Sequence, residues 1–481
     1  MQVLSAYATA DMTYNDFATL SLTGRTDKNS TLPVANNAYF YPSASASIEM
    51  SKLVKVPTVK SWKIRGSYAN VGSALTSSVI GPTYQMLGFS ILGYGSAYNS
   101  PYDGPTYQNS SSYNINLIQG AAAASYTSTI SNPQLKPSSS SAWEAGTDVG
   151  MFDNKLRFEL TYYSSIDGPK IFNLPISGAT GFNTALVNGI KVQRKGFELS
   201  LSGTPFRNKD GFSWDISANY STYQQYLKEI YPGVDKLNVY LKVGDRMDKL
   251  YTAAFVRTQD GKIINDASGR PIRNSVPQFM GNTNADFSAA INNTISYKNV
   301  SLRFQFDGRF GGKIQDYVEM KTFQGGRNIA TVEGEMGIAR LNDTKGIKSY
   351  IGEGVQVSNS TAIKFDSDGK VINYDQLQFK PNTTATYVQD YISRYYGTSE
   401  GTIISRSFVK LREVVITYNL PQQYLNKTFI KQANISFIGR NLLYFAAKSD
   451  MDIEQYAGLN ASSGLQTPTS RRIGFNLNLT F

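Results

Sequence analysis

The chain has 481 residues, enough for two or three ordinary domains or one large one, and only 17% of them are charged, against about a quarter in soluble proteins. It contains neither cysteine nor histidine, which excludes disulfides, thiolate nucleophiles, histidine general bases and histidine-held zinc. The formal net charge is +11, but the Lys and Arg are scattered without a long basic run, so no nucleic-acid partner is expected.

The inventory of 32 Tyr, 25 Phe and 40 Gly suits strands and turns better than helices. No window offers the roughly eighteen uncharged apolar residues of a membrane helix, and residues 1–30 lack the basic-then-apolar plan of a signal peptide. What recurs from end to end is alternation with a period of two, in segments of roughly ten residues. Strands are expected over Val3 to Met12 and Phe17 to Arg25, joined by a tight turn at 13–16, then over Phe40 to Met50 and Ser61 to Val71. Ala142 to Phe152 turns at 153–155 into Leu156 to Ser165, where Leu156, Phe158, Leu160 and Tyr162 oppose Arg157, Glu159, Thr161 and Tyr163. Gln193 to Gly203, Phe212 to Thr222, Thr283 to Asn292 and Val300 to Phe310 follow. In the last of these Arg303, Gln305, Asp307 and Arg309 share one face, which would be costly in a dry core, so that face is wet. Phe408 to Asn419 changes parity midway, Val409 and Leu411 giving way to Val414, Ile416 and Tyr418, which predicts a β-bulge around Arg412 and Glu413. Lys431 to Asn441 and Arg471 to Phe481 bring the count to about thirteen strands. The closing segment sets Ile473, Phe475, Leu477, Leu479 and Phe481 against Gly474, Asn476, Asn478 and Thr480.

The connectors alternate in length. Residues 13–16, 51–60, 153–155, 204–211, 293–299 and 420–430 are short, whereas 26–39, 72–141, 166–192, 223–282, 311–407 and 442–470 are long. A soluble sandwich or propeller has no reason to segregate them. The pattern predicts an all-β fold: a transmembrane antiparallel β-barrel in the cell outer membrane, with short periplasmic turns, long extracellular loops and outer-membrane lipid around it. If the last strand runs inward, counting back makes the first run inward too. Residues 1–481 are therefore expected to be the C-terminal part of a larger barrel, completed by an upstream segment or chain.

Motifs fall along the same frame. Tyr14-Asn15-Asp16, Gly24-Arg25, Asp27 and Tyr41-Pro42-Ser43-Ala44-Ser45 open it. Asn132-Pro133-Gln134-Leu135-Lys136-Pro137 leads into Trp143-Glu144, Gly146 and Asp148, then Tyr162-Tyr163, Gly181, Asn188-Gly189 and Lys195-Gly196-Phe197-Glu198. Phe408-Val409-Lys410-Leu411-Arg412, Tyr418-Asn419-Leu420-Pro421, Arg440-Asn441-Leu442 and Asp452-Ile453-Glu454 close it. In order and spacing these resemble the C-terminal half of the SusC/RagA family of TonB-dependent outer-membrane transporters of Bacteroidota. The resemblance implies a barrel of about 22 strands with a plugged lumen, and no enzymatic activity or cofactor. It further implies import of oligosaccharides or peptides, a SusD-like surface lipoprotein as lid, and drive from the TonB complex through an upstream plug. By the same resemblance Phe481 would serve as a C-terminal assembly signal. The family's N-terminal domain, TonB box and plug have no counterpart in these residues. The alternative is a non-energised porin-like or structural barrel that docks a surface lipoprotein.

Two tyrosine groups are candidates for contact with substrate or lid: Tyr94, Tyr98, Tyr102, Tyr107 and Tyr113 in a Ser/Asn/Ala-rich loop, and Tyr391, Tyr395 and Tyr396. Loops packing on themselves are the readier account of both. Asp260-Gly261-Lys262 and Asp366-Ser367-Asp368-Gly369 lack the acidic spacing of a calcium loop and read as β-turns, so no metal is expected. Asp307 to Gly312 reads as a strand-end kink. Asp450, Asp452 and Glu454 could suggest paired carboxylates, but are expected at a solvated loop tip. Tyr162, Tyr220, Tyr418, Tyr444 and Phe445 would form interfacial girdles.

Overall fold

A computed structural model describes residues 2–30, 32–73, 113–126, 128–209, 211–456 and 469–481. They form two compact units, Met1–Gly203 with Ser221–Met247, and Thr204–Tyr220 with Asp248–Phe481.

The first unit is an antiparallel run in which each long strand pairs with the next. Its members are β1 (Val3–Tyr14), β2 (Ala18–Asn29), β3 (Ala38–Glu49), β4 (Val59–Ser73), β5 (Ser138–Met151), β6 (Leu156–Asp167) and β7 (Lys191–Arg207). The β1–β2 turn is tight because Asn15 and Asp16 both take positive φ (43° and 52°), the conformation that matches the twist of a hairpin. The second unit continues in the same style with β8 (Phe212–Ser221), β9 (Phe287–Tyr297), β10 (Val300–Phe310), β11 (Phe408–Asn419), β12 (Gln432–Ala446) and β13 (Arg472–Thr480).

The faces are inverted relative to a soluble sheet. On β13 Phe475 is 77% exposed and Leu477 60%, and they pair across to Phe437 and Ile435, which are also exposed. Ile416 and Tyr418 on β11 extend the same apolar band. The opposite parity bonds internally: Thr417 with Ser436, Asn478 with Asn434, and Arg440 with Glu413. Apolar side chains left outside and polar ones satisfied inside is what a strand needs when one solvent is lipid.

Two expectations are sharpened by the register. On β10, Gln305 faces Glu413 and Phe306 faces Leu411, so Arg412 is the extra residue of a bulge where the parity break placed it. The strand expected over Thr283 to Asn292 instead runs from Phe287 to Tyr297. Asn292-Asn293-Thr294 has turn composition, yet the chain stays extended there, because Trp214 Nε1 donates to Asn293 Oδ1 at 3.1 Å and satisfies the buried amide. Only Lys298 and Asn299 are left for the turn. Trp214→Phe is expected to cost roughly 1–3 kcal/mol by leaving that carbonyl unpaired, and urea unfolding read by tryptophan-independent gel migration would measure it.

The long connectors of the second unit are not open loops. Ile264–Asn265 pairs in parallel with Val355–Val357, which pairs with Phe379–Pro381, around a core of Val256, Ile264 and Val355. Three helices, α1 (Tyr317–Gln324), α2 (Gly334–Asp343) and α3 (Val388–Tyr396), pack beside it. In α3, Val388, Tyr391, Ile392 and Tyr396 recur at helical spacing and are all buried. Asp343, ending α2, accepts from the free N–H groups of Val388 and Gln389 and so caps α3. These pieces together make a cap on the long-connector side of β9 to β12.

Candidate functional site

The face of β10 and β11 opposite the apolar band carries a charge cluster, and the bulge explains how. Alternation would put Lys410 and Arg412 on one face and Glu413 on the other. The extra residue lets Arg412 and Glu413, though consecutive, both bond on the polar side. Arg412 Nε and Nη2 donate to the two oxygens of Asp307 on β10, both at 2.6 Å, and its Nη1 and Nη2 donate to Glu454 at 2.7 and 2.8 Å. Lys410, only 3% exposed, donates to both Asp452 oxygens at 2.7 and 2.8 Å and to Glu454 at 2.8 Å. Its ammonium lies 5.4 Å from the Phe408 ring and 5.2 Å from the Tyr444 ring.

Asp452 and Glu454 thus do not sit at a solvated tip. Residues 448–456 fold back as a strap on the strands: Ile453 is fully buried with Ile314, Met451 and Tyr456, and Ile453 N donates to Tyr444 Oη at 3.0 Å. Of the three carboxylates only Asp450 stays exposed. Lys448 ties the strap to the cap by pairing with Asp316, which also caps α1, and with Glu319. Sequence patterning missed this because partners 42 residues apart leave no local signal; the surplus of cations at 410 and 412 was the available clue.

Burial alone would raise the Glu454 carboxyl, but hydrogen bonds from Arg412 and Lys410 outweigh it and hold it down at about 2, from 4.5. A depressed carboxylate contributes stability that is complete above its unfolded value and is lost as pH falls towards its folded one. Strap docking should therefore weaken between pH 4.5 and about 2, which hydrogen exchange of residues 448–456 across that range would register.

Of the tyrosines singled out in the sequence, Tyr94, Tyr98, Tyr102 and Tyr107 lie outside the described residues. Tyr113 opens a short strand, Tyr113–Ile118, paired with Ala121–Tyr126. Tyr391 and Tyr396 are buried cap residues and Tyr395 is partly buried against the same cluster. The Phe323 and Tyr396 rings stack with centroids 3.9 Å apart, and burial pushes the Tyr391 and Tyr396 hydroxyls well above their usual range. Asp260-Gly261 and Asp366 to Gly369 are turns: Gly261 and Gly369 take positive φ, and Asp366 Oδ1 accepts from Asp368 N and Lys370 N. Gly311 and Gly312, with φ of 86° and 82°, kink the chain at the end of β10.

In the first unit the polar parity is different in kind. Thr19, Ser21, Ser45, Ser47 and Ser67, with Lys63, Arg65 and Glu144, line a hollow of about 300 Å³. Arg65 is held by Thr161 at 2.8 Å and by Asp148 at 3.4 Å.

With this geometry in view, residues 2–318 match the family described as TonB dependent receptor-like, beta-barrel. TonB-dependent receptor P3 of Formosa agariphila is 22% identical over an alignment covering all of this chain and 44% of its own length. TonB-dependent receptor SusC of Bacteroides thetaiotaomicron is 22% identical over 42% of the chain and 22% of the relative. The chain spans less than half the length of these relatives. Among solved structures, the RagAB peptide importer in its open-open state matches with a TM-score of 0.65 at 15% identity, covering 100% of this chain and 47% of that one. A likeness at that identity speaks for the fold, and it agrees with the strand order and the inverted faces. The chain belongs to the TonB dependent receptor-like β-barrel family, as a SusC/RagA-like protein of the outer membrane that crosses it as antiparallel strands.

Proposed function

We propose that residues 1–481 are the C-terminal, barrel-forming part of a TonB-dependent importer of oligosaccharides or peptides, acting with a SusD-like surface lipoprotein. The observation that carries this is the pairing of a lipid-compatible outer face with a charged inner face, surmounted on the long-connector side by a folded cap rather than by bare loops. A passive pore needs no such cap. An upstream segment or chain supplies the plug and the TonB contact, and the cap and the loop at 72–141 present the outer surface to lipoprotein and substrate. RagAB is described as a peptide importer, which makes peptides the first substrate class to try and oligosaccharides the second.

The test is uptake by cells carrying the full-length protein, with and without a functional TonB complex, together with pull-down of co-purifying lipoproteins. Uptake that persists without TonB would replace this reading with the porin-like one. Alanine replacement of Tyr94, Tyr98, Tyr102, Tyr107 and Tyr113 together is expected to lower substrate uptake or lipoprotein affinity about ten-fold; unchanged values for both would remove that loop from the site.

A further inference from the structure

The strap is a bound ligand in chemical terms: two carboxylates of residues 448–456 occupy two cations of the wall. We propose that Lys410 and Arg412 form a carboxylate-binding site for solutes in transit, filled at rest by the chain's own Asp452 and Glu454, and that exchange of one for the other frees the strap from the wall. This rests on the importer reading only for the source of the solute; the site itself can be tested by binding alone.

Four observations support it. The first is charge. Lys410, Arg412 and Asp307 carry two positive charges and one negative, a net of one positive, and the strap carboxylates reverse it to one negative. Without the strap the wall would hold an uncompensated cation, and Arg309, two residues from Asp307 on the same face, adds a further positive charge.

The second is the division of partners. Arg412 keeps Asp307, a permanent neighbour on β10, whether or not the strap is present. Among the described residues Lys410 has only strap carboxylates and two aromatic rings, so its ammonium is the group that most needs a replacement anion.

Access is the third. A cleft of about 560 Å³ is bounded by Asp316, Glu319, Arg327, Lys448, Asp452 and Tyr456 among others. Asp452 lines it while accepting from Lys410, and Lys410 does not reach it. Asp452 therefore stands between the cleft and the ammonium. Displacing this one side chain, which also accepts from Thr469, opens the cleft to Lys410.

Finally, the strap has two ends. Lys448 binds Asp316 and Glu319 at the start of α1, while Asp452 and Glu454 bind the wall. A solute that releases the wall end leaves the cap end attached, so occupancy of the wall becomes a change in what the cap is anchored to.

None of residues 1–481 is a cysteine, so none of them competes in a thiol assay. In the full-length protein with its partners, Ile453→Cys places a thiol at a fully buried strap position, and its maleimide labelling rate reports release. N-acetyl-trialanine with a free carboxylate and trigalacturonate are the two probes, with N-acetyl-trialanine amide and maltotriose as their uncharged counterparts. The expected result is labelling about ten-fold faster with at least one carboxylate probe and unchanged with both counterparts. The added pair Asp452→Asn with Glu454→Gln should label at the fast rate with no probe. Acceleration by only one carboxylate source would identify it as peptide or acidic glycan, and either supports the site. Slow labelling in the presence of both carboxylates, with the paired variant fast, would overturn the ligand site and leave a fixed strap. Slow labelling in the paired variant would overturn the role of the ion pairs altogether. None of these outcomes depends on TonB-driven uptake, so failure here is separable from failure of the importer reading.

Discussion

Lys410→Ala is expected to release residues 448–456 from the strands at a cost of roughly 3–5 kcal/mol, the range for removing one partner of a buried ion pair. The reason is asymmetric burial. Lys410 is 3% exposed, and its removal strands Asp452 with no cation and leaves Glu454 with Arg412 alone. Because Glu454 retains some contact with water, the lower end of that range is the better expectation. Hydrogen exchange would show residues 448–456 losing protection while β12 and β13 keep theirs. Lys410→Met keeps the stem packed on Phe408 and Tyr444, so it separates the charge from the contact. By contrast Lys448→Met, at a half-buried position, should cost less, since Asp316 keeps its place as the α1 cap.

Leu477→Arg is the second large effect, with an expected loss of roughly 2–4 kcal/mol and poor assembly. Leu477 lies inside β13, points the same way as Phe475 and is 60% exposed beside Ile435. An exposed leucine on a water-facing strand could become arginine at almost no cost. On a lipid-facing strand the guanidinium must be carried into hydrocarbon. Asn478→Arg, on the other parity and next to Asn434, is the matched control and should assemble normally. Heat-modifiable gel migration after insertion distinguishes the two variants.

The strands were legible because a two-solvent strand writes its environment into every residue: each of the thirteen segments expected from alternation is a strand, and the Arg412 bulge announced itself as a parity break. Boundaries were less legible: the strand expected to end at Asn441 runs on to Ala446, and the one expected to end at Asn292 runs on to Tyr297, past Asn293, where composition suggests a turn and a tryptophan 79 residues away supplies the missing hydrogen bond. The cap was illegible for the same physical reason. Its sheet joins Ile264 to Val355, and its helices are short and marked only by the spacing of Val388, Tyr391, Ile392 and Tyr396. The tyrosines chosen for exposed recognition include two whose rings build that core. Asp452 and Glu454, acidic in a long connector, looked like solvated groups until the strap brought them to Lys410 and Arg412.

The most direct measurement is spin-label accessibility along residues 472–480, one cysteine at a time, in the full-length protein reconstituted in lipid. Labels at Ile473, Phe475, Leu477 and Leu479 should be relaxed by oxygen, which partitions into the bilayer. Those at Gly474, Asn476 and Asn478 should respond instead to a water-soluble nickel complex, giving opposite oscillations with a period of two. Equal access to the nickel complex at both parities, or an oscillation with the phase reversed, would contradict a strand that crosses the outer membrane with this face in lipid.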